Sequence, residues 1–439
     1  MNELLSIVAA ARDRPHAPAL RCGERTWTFR DLAAMARRRA DALSNEIARD
    51  RPYALVGSNT LETVLTIYAL WEIGAAPLLL HPRLTRHERD ALRVNADQNG
   101  RMDVPAAAAV LYTSGTTGIP RAAILARDAF AASAAANAAN LGWRDDDCWL
   151  LCMPLAHVGG LSILSRCLIA RTCVSLAPGF DAIGVMATVN AQRVTLVSLV
   201  PTMLAHLLDR GWSAPSHLRA VLLGGAHAGA RLLDRAVERH IPVLVTYGLT
   251  ETCSQVTTTP YEERHDPRPY GAGMPLPGIG VRVRDSHIEV QGAVMMERYW
   301  TEPRLARGDW FATGDLGSID ARGCLHVHAR RNDVIVTGGE NVYPVEVENA
   351  LEACPGVTAA GVFGIDDELW GQTVAAAVVI DPEVTSEAHL HDYVRTHLAP
   401  HKQPRRFVLV ADLPHTRAGK LDRAALPRLA RVDDMLLGI

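Results

Sequence analysis

Lysine is almost absent from this chain. Of 45 basic residues in 439, two are lysine, Lys402 and Lys420, and the rest are arginine. A sequence with this bias uses arginine wherever either cation serves. The surviving lysines are therefore candidates for places where a compact ammonium on a thin stem fits and a broad planar guanidinium does not, the alternative being chance retention on the surface. Other absences bound the function. The formal charge is −3, which excludes the basic footprint of a nucleic-acid-binding protein and a polybasic membrane surface. No run of about 18 apolar residues occurs, so no membrane insertion is expected. The eight cysteines include no Cys-x-x-Cys pair and read as reduced, mostly buried thiols of a cytoplasmic protein. Met1 to Ala10 carries an apolar run without a basic leader and continues into Arg12-Asp13-Arg14, which reads as an amphipathic helix and not a signal peptide.

What is present is an alternation of short apolar strands and amphipathic helices, on a length that suits about two or three compact units. Strands are predicted at 26–29, 53–56, 76–80, 107–112, 148–152, 173–176, 194–199, 220–223 and 243–246. Helices are predicted at 30–48, at 61–73 and from Asp128, straight after the glycine-rich loop. This rhythm implies an α/β fold with largely parallel sheets. From Gly271 to Gly280 glycine and proline crowd together, and short alternating strands follow at 281–283 and 287–290, the mark of a β-rich subdomain. The polar tetrad Arg330-Arg331-Asn332-Asp333 reads as a linker. It divides the chain into a large N-terminal α/β domain, residues 1–331, and a small α+β C-terminal domain, residues 332–439.

Three segments carry chemistry. Thr113-Ser114-Gly115-Thr116-Thr117-Gly118-Ile119-Pro120-Arg121 follows an apolar strand. Glycines let backbone N–H groups approach a polyphosphate, hydroxyls donate to its oxygens, and Arg121 balances charge. The loop lacks the Lys-Ser/Thr pair of a Walker A motif. Tyr247-Gly248-Leu249-Thr250-Glu251-Thr252 offers an aromatic for a base and oxygen ligands for Mg²⁺. In Thr313-Gly314-Asp315, the aspartate is either a turn residue or an acceptor for two ribose hydroxyls.

These segments, in this order, together with Gly338-Gly339-Glu340-Asn341-Val342-Tyr343-Pro344 and Pro414-His415-Thr416-Arg417-Ala418-Gly419-Lys420, resemble the superfamily of acyl-CoA synthetases, luciferases and peptide-synthetase adenylation domains. The resemblance covers essentially the whole chain. It implies an ATP-, Mg²⁺- and coenzyme A-dependent ligase that activates a small carboxylic acid as its acyl-AMP. It assigns Thr113, Ser114, Gly115, Thr116, Thr117, Gly118 and Arg121 to the ATP phosphates, Tyr247 to adenine, and Gly224, Gly225, Ala226 and Gly248 to positions along the nucleotide. Asp315 and Arg330 would hold the ribose, Glu251 and Thr116 the Mg²⁺, and Thr250 would join Glu251 and Lys420 in the catalytic group. Lys420 would bridge the attacking carboxylate and the α-phosphate, where a cation offsets the repulsion of two anions. The C-terminal domain is implied to be mobile. It would swing about the tetrad after adenylation, withdrawing Lys420 and bringing Gly338 and Gly339 to a pantetheine tunnel; Lys402 matches a further cofactor position.

Four residues depart from the family pattern: Arg121 for lysine, Ala122 for a common glycine, Asn332 for the hinge aspartate and Ala329 for glycine. Pro154-Leu155-Ala156-His157-Val158-Gly159-Gly160-Leu161, Ser198-Leu199-Val200-Pro201-Thr202 and Thr250-Glu251-Thr252-Cys253-Ser254-Gln255 resemble the o-succinylbenzoate–CoA ligases of menaquinone synthesis. That resemblance places His157, Ser198 and Thr202 in the acyl site. Ala156 stands where an aromatic is usual, which implies a modified pocket. Arg166 and His227 are candidates to meet a second carboxylate. Another aryl or acyl substrate, an acyl carrier protein as acceptor, and a second copy of the chain as partner stay open.

Overall fold

The structure, a computed structural model, describes residues 3–44, 47, 51–98, 102–104, 106–113, 121–306, 308–330, 333–338, 340–367, 369–416 and 419–430. At the centre of its largest sheet six strands run parallel, in the spatial order Val243–Leu249, Ala220–Leu223, Leu196–Leu199, Cys148–Leu151, Cys173–Leu176 and Pro18–Cys22. Antiparallel strands close the edges: Ser254–Thr258 and Met274–Pro275 on one side, Arg25–Thr28 on the other. The four inner strands from Ala220–Leu223 to Cys173–Leu176 are buried at every residue. Such strands read as short continuous apolar runs because both faces of a parallel sheet are covered.

A second sheet sets Tyr53–Val56, Pro77–Leu80 and Ala107–Thr113 parallel, then adds Arg121–Ala126 and Arg298–Tyr299 antiparallel. One apolar core joins it to the first sheet, with Leu79, Ala108 and Leu111 from one and Leu20, Trp149 and Leu151 from the other. A third, antiparallel sheet is built from Ile279–Arg284, His287–Gly292, Phe311–Ile319 and Leu325–Arg330. The small C-terminal α+β unit has its own core on Ile335–Thr337, Glu340–Val342, Val357–Asp367 and Gly371–Ile380, covered by the helices Pro344–Glu352 and Glu387–His397.

The strands predicted at 173–176 and 220–223 match in full. Three differences matter for the site. Arg121–Ala126 is a strand, not the run-in to a helix, because Ala-Ala-Ile-Leu-Ala pairs back on Ala107–Thr113 across the loop. Val243–Leu249 runs on through Tyr247 and Gly248, which pair with Thr257 and Gln255. Arg406–Leu409 adds a parallel strand beside Gly371–Ile380. The expected boundary between residues 331 and 332 lies outside the described residues. All eight cysteines are free, and among the described residues no helix is long and apolar enough to cross a membrane.

Candidate active site

Loops leaving the carboxyl ends of neighbouring parallel strands form the usual ligand crevice of such a sheet. Here Leu151 leads to His157, Leu199 to Thr202, Leu223 to Gly224, Gly225 and Ala226, and Leu249 to Thr250 and Glu251. Sequence-distant candidates thus meet along one sheet edge.

Two glycines are dictated by close approach. Gly225 has φ +82°, and a Cβ there would stand 3.7 Å from Cε of Lys420. A Cβ on Gly248 would lie 1.7 Å from the Ser254 carbonyl oxygen, which only a bare backbone avoids. The turn that follows is tight: Cys253 and Ser254 adopt φ +50° and +97°, and Thr252 Oγ1 accepts from the Leu249 N–H at 3.0 Å. It holds Glu251 inward, 8% exposed, where its Oε1 accepts from the Tyr299 hydroxyl at 2.5 Å.

Asp315, 6% exposed, is the register partner of Arg330 across the antiparallel sheet. Its Oδ2 accepts from the Tyr247 hydroxyl at 2.7 Å, and its Oδ1 lies 3.5 Å from Arg330 Nε. Burial lifts the Asp315 carboxyl above its ordinary range, against the Tyr247 hydrogen bond and the Arg330 charge.

Lys420 enters this group from the C-terminal unit. The Thr202 hydroxyl donates to the Gly419 carbonyl at 2.9 Å, and the Lys420 N–H donates to Thr416 Oγ1 at 3.2 Å. Burial, then the Arg330 charge, lower the ammonium's pKa, while Asp315 and Glu251 favour its charged form. Thr202, expected to line the acyl site, therefore also holds the loop that delivers the lysine. A second contact joins the same two parts of the molecule. His227 Nε2 lies 3.0 Å from Asn349 Oδ1, Arg231 donates to the Val357 carbonyl, and Glu352 sits against Gly229 at the start of the helix Ala230–Glu238. His227 is engaged here with the C-terminal unit.

Within the large sheet Ser198 Oγ accepts from Trp149 Nε1 at 3.1 Å. Beneath Trp149 lies Arg166, 2% exposed, its guanidinium carbon 5.8 Å from the indole ring centre. One Arg166 nitrogen donates to Ser133 Oγ at 3.2 Å, and its Nε has no hydrogen-bond partner among the described residues. Burial pulls its pKa down to about 10. His157 lies against His81 with ring centres 4.9 Å apart and the rings tilted by 47°, and its Nε2 is buried without a hydrogen-bond partner among the described residues. Burial, then His81 and Lys420, hold its pKa down to about 4. Ala156 packs on Gly57 in the core joining the sheets.

Of the phosphate loop, Thr113 and Arg121 are register partners, the Thr113 hydroxyl donating to the Arg121 carbonyl at 3.3 Å. Ser114, Gly115, Thr116, Thr117 and Gly118 lie outside the described residues, as do Gly339, Arg331 and Asn332. The Arg121 guanidinium stacks 3.5 Å over the Tyr299 ring and pairs with Glu302. Lys402 is bound to Glu346 at 2.6 Å. Gly338, with φ +58°, lies against the Trp370 ring. Tyr299 escaped the sequence reading, since nothing in Arg298-Tyr299-Trp300 points to a carboxylate 48 residues away. A separate group, Asp320, Cys324 and His326, has metal-ligand chemistry. It is accounted for by a hairpin turn: Asp320 accepts from the Arg322 and Cys324 N–H groups and pairs with His326 at 3.0 Å.

Residues 7–98 and 94–300 match the AMP-binding enzyme family, and residues 346–420 match the AMP-binding enzyme C-terminal domain. The 2-succinylbenzoate–CoA ligase of Bacillus pumilus is 34% identical, with 96% of each chain covered. The o-succinylbenzoate CoA synthetase of Bacillus subtilis, solved in complex with the acyl-adenylate intermediate, superposes with a TM-score of 0.85 at 32% identity, covering 96% of this chain and 97% of that one. ATP-bound MatB from Rhodopseudomonas palustris gives a TM-score of 0.85 at 28% identity, covering 98% and 99%.

Proposed function

The chain belongs to the AMP-binding enzyme family, and from that premise we propose that it is an ATP-dependent o-succinylbenzoate–CoA ligase working through an acyl-AMP in menaquinone synthesis. The observation that carries the reading is the position of Lys420, brought over Gly225 and into the fields of Asp315 and Glu251 by a loop anchored on Thr202.

In the first half-reaction a carboxylate oxygen of the acid attacks the α-phosphorus of ATP, the bond to pyrophosphate breaks, and the acyl-AMP forms. Lys420 stands between the two approaching anions, and its charge counts most as they close. Thr113 to Gly118 with Arg121 hold the phosphates. Gly224, Gly225, Ala226, Tyr247 and Gly248 lie along the adenosine, and Asp315 with Arg330 takes the ribose hydroxyls. Glu251, with Thr250 beside it and Thr116, is the candidate Mg²⁺ holder. The fit is chemical: Glu251 is a buried carboxylate with one oxygen fixed by Tyr299, and hard cations prefer oxygen ligands. When bound, Mg²⁺ neutralises phosphate charge. In the second half-reaction the thiol of coenzyme A attacks the acyl carbonyl, AMP leaves, and the thiol proton passes to solvent. For that step the C-terminal domain, residues 332–439, swings about Arg330–Asp333, withdrawing Lys420 and presenting Gly338, Gly339 and Lys402 to the cofactor.

His157, Ser198 and Thr202 line the acyl side. Arg166 supplies what a diacid substrate requires: a buried cation without a carboxylate partner among the described residues, beside Trp149, whose indole N–H donates to Ser198. The reaction is placed in the cytoplasm, where ATP and coenzyme A are supplied. The test is a mass-spectrometric turnover assay with ATP, Mg²⁺ and coenzyme A against o-succinylbenzoate and a panel of aryl and fatty acids. The expected product is o-succinylbenzoyl-CoA with little from the other acids. A thioester of another acid would discard this substrate, and acyl-AMP without a thioester would point to an acyl carrier protein as acceptor.

A further inference from the structure

Tyr299, on a short edge strand paired beside the exit of the phosphate loop, reaches across to Glu251. Tyr299 lies on Arg298–Tyr299, which pairs antiparallel with Arg121–Ala126, Tyr299 opposite Ala123. Its hydroxyl crosses to the other large sheet and donates to Glu251 Oε1 at 2.5 Å, with Tyr299 7% and Glu251 8% exposed. The Glu251 main chain is tied to the same segment, its carbonyl accepting from the Met296 N–H at 2.7 Å. On the opposite side of the phenol ring lies Arg121, 3.5 Å from the ring centre and paired with Glu302.

We propose that Tyr299 is a positioning residue for the Mg²⁺-holding carboxylate, and that Arg121 and Glu302 clamp its ring. A carboxylate can rotate, and a cation bound through it gains little unless one oxygen is already fixed and the rotamer set. A phenol meets that need because its rigid ring carries a single donor across the gap between two sheets. Guanidinium stacking on the face of the phenol limits how far the ring can tilt. In this arrangement Arg121 acts at the exit of the phosphate loop through Tyr299 as well as through its own charge. The loop's end and the metal carboxylate are thereby set by one pair of strands.

The proposal rests on the reading that Glu251 holds Mg²⁺, so the test separates the two. Binding of a non-hydrolysable ATP analogue to the full chain is measured by calorimetry with saturating Mg²⁺ and again with EDTA. The ratio of the two affinities reports how strongly metal and nucleotide are coupled. Tyr299→Phe keeps the ring under Arg121 and removes only the hydroxyl. It is expected to reduce that ratio about tenfold while leaving affinity in EDTA unchanged. Glu251→Gln is expected to abolish the ratio. Arg121→Lys, which keeps a cation on the ring, is expected to fall between wild type and Tyr299→Phe. If Glu251→Gln leaves the ratio intact, Glu251 does not hold the metal, and both readings fall. If Glu251→Gln removes the ratio and Tyr299→Phe does not, the positioning role alone is overturned. An equal loss in EDTA and in Mg²⁺ for Tyr299→Phe would also overturn it, since that marks general damage to the pocket.

Discussion

Two cations, Lys420 and Arg166, differ in their surroundings. Lys420 arrives on a loop from the C-terminal unit and sits in the fields of two carboxylates, Asp315 and Glu251. Arg166 is built into the helix Val158–Ala170, entirely within the large N-terminal part, with a serine hydroxyl and an indole face for company. The first arrangement suits a charge that must enter and leave. Its site stays balanced by fixed acids, and the lysine's own loop is held by few bonds such as that from Thr202. The second suits a charge that never moves. Among the described residues it has no carboxylate partner, a cost to the fold that the second carboxylate of the proposed diacid would relieve. Lysine fits the mobile role because its thin stem passes over the bare backbone of Gly225. Arginine fits the fixed role because guanidinium is weakly hydrated and keeps its charge when buried.

The comparison can be broken most decisively at the mobile cation. Lys420→Ala is expected to slow acyl-AMP formation by about a hundredfold to a thousandfold, read as ATP–pyrophosphate exchange. Thioester formation from supplied acyl-AMP should hold to within a few-fold. Normal exchange in this variant would remove Lys420 from the mechanism. At the fixed cation, Arg166→Met is expected to raise KM for the diacid by about thirtyfold or more, the cost of leaving a bound charge unpaired. A monoacid lacking the ring carboxylate should bind unchanged. The same variant should unfold later in a thermal melt, by about 1–3 kcal/mol of stability, because an uncompensated charge has left the core. Equal losses for both acids would deny Arg166 its role.

A third test, read in stability and not in turnover, concerns His157, whose charged form Lys420 disfavours. Its pKa is held down to about 4 from an ordinary 6.5, so the folded protein keeps the neutral ring. A base with a depressed folded pKa costs stability as pH falls below its unfolded value. The loss therefore begins near pH 6.5 and is complete below about pH 4, amounting to about 3 kcal/mol in all. In His157→Gln this part of the pH dependence should vanish from denaturation curves measured across that window. Unchanged curves would show that the ring titrates normally.

Much of the fold was legible because parallel strands covered on both faces are buried throughout and therefore mostly apolar. Cys173–Leu176 and Ala220–Leu223 announce themselves for that reason. The strand Arg121–Ala126 did not. Its apolar run abuts a helix start, and what makes it a strand is pairing with Ala107–Thr113 beyond the phosphate loop. Tyr247 and Gly248 read as a turn because glycine usually ends strands, yet here Gly248 is what lets Ser254 approach within the sheet. Site residues showed the same division. Lys420 stood out by composition, whereas Glu251 and Asp315 sit in short segments that read equally well as turns and took on a role only through the family resemblance. Tyr299 carries no local mark, since its partner is distant in sequence. Ser198 and Arg166 gained meaning only once Trp149 was seen between them.

The sequence by itself determined the class of fold, the family, and the residue types that the chemistry requires. Periodicity, glycine placement and the scarcity of lysine are all local properties of the chain. Tertiary structure alone decided which of those residues meet: Thr202 with Gly419, Tyr299 with Glu251, Trp149 with both Ser198 and Arg166. Such pairings follow from strand order and register, and these are set by burial across the whole core and not by any short stretch of sequence.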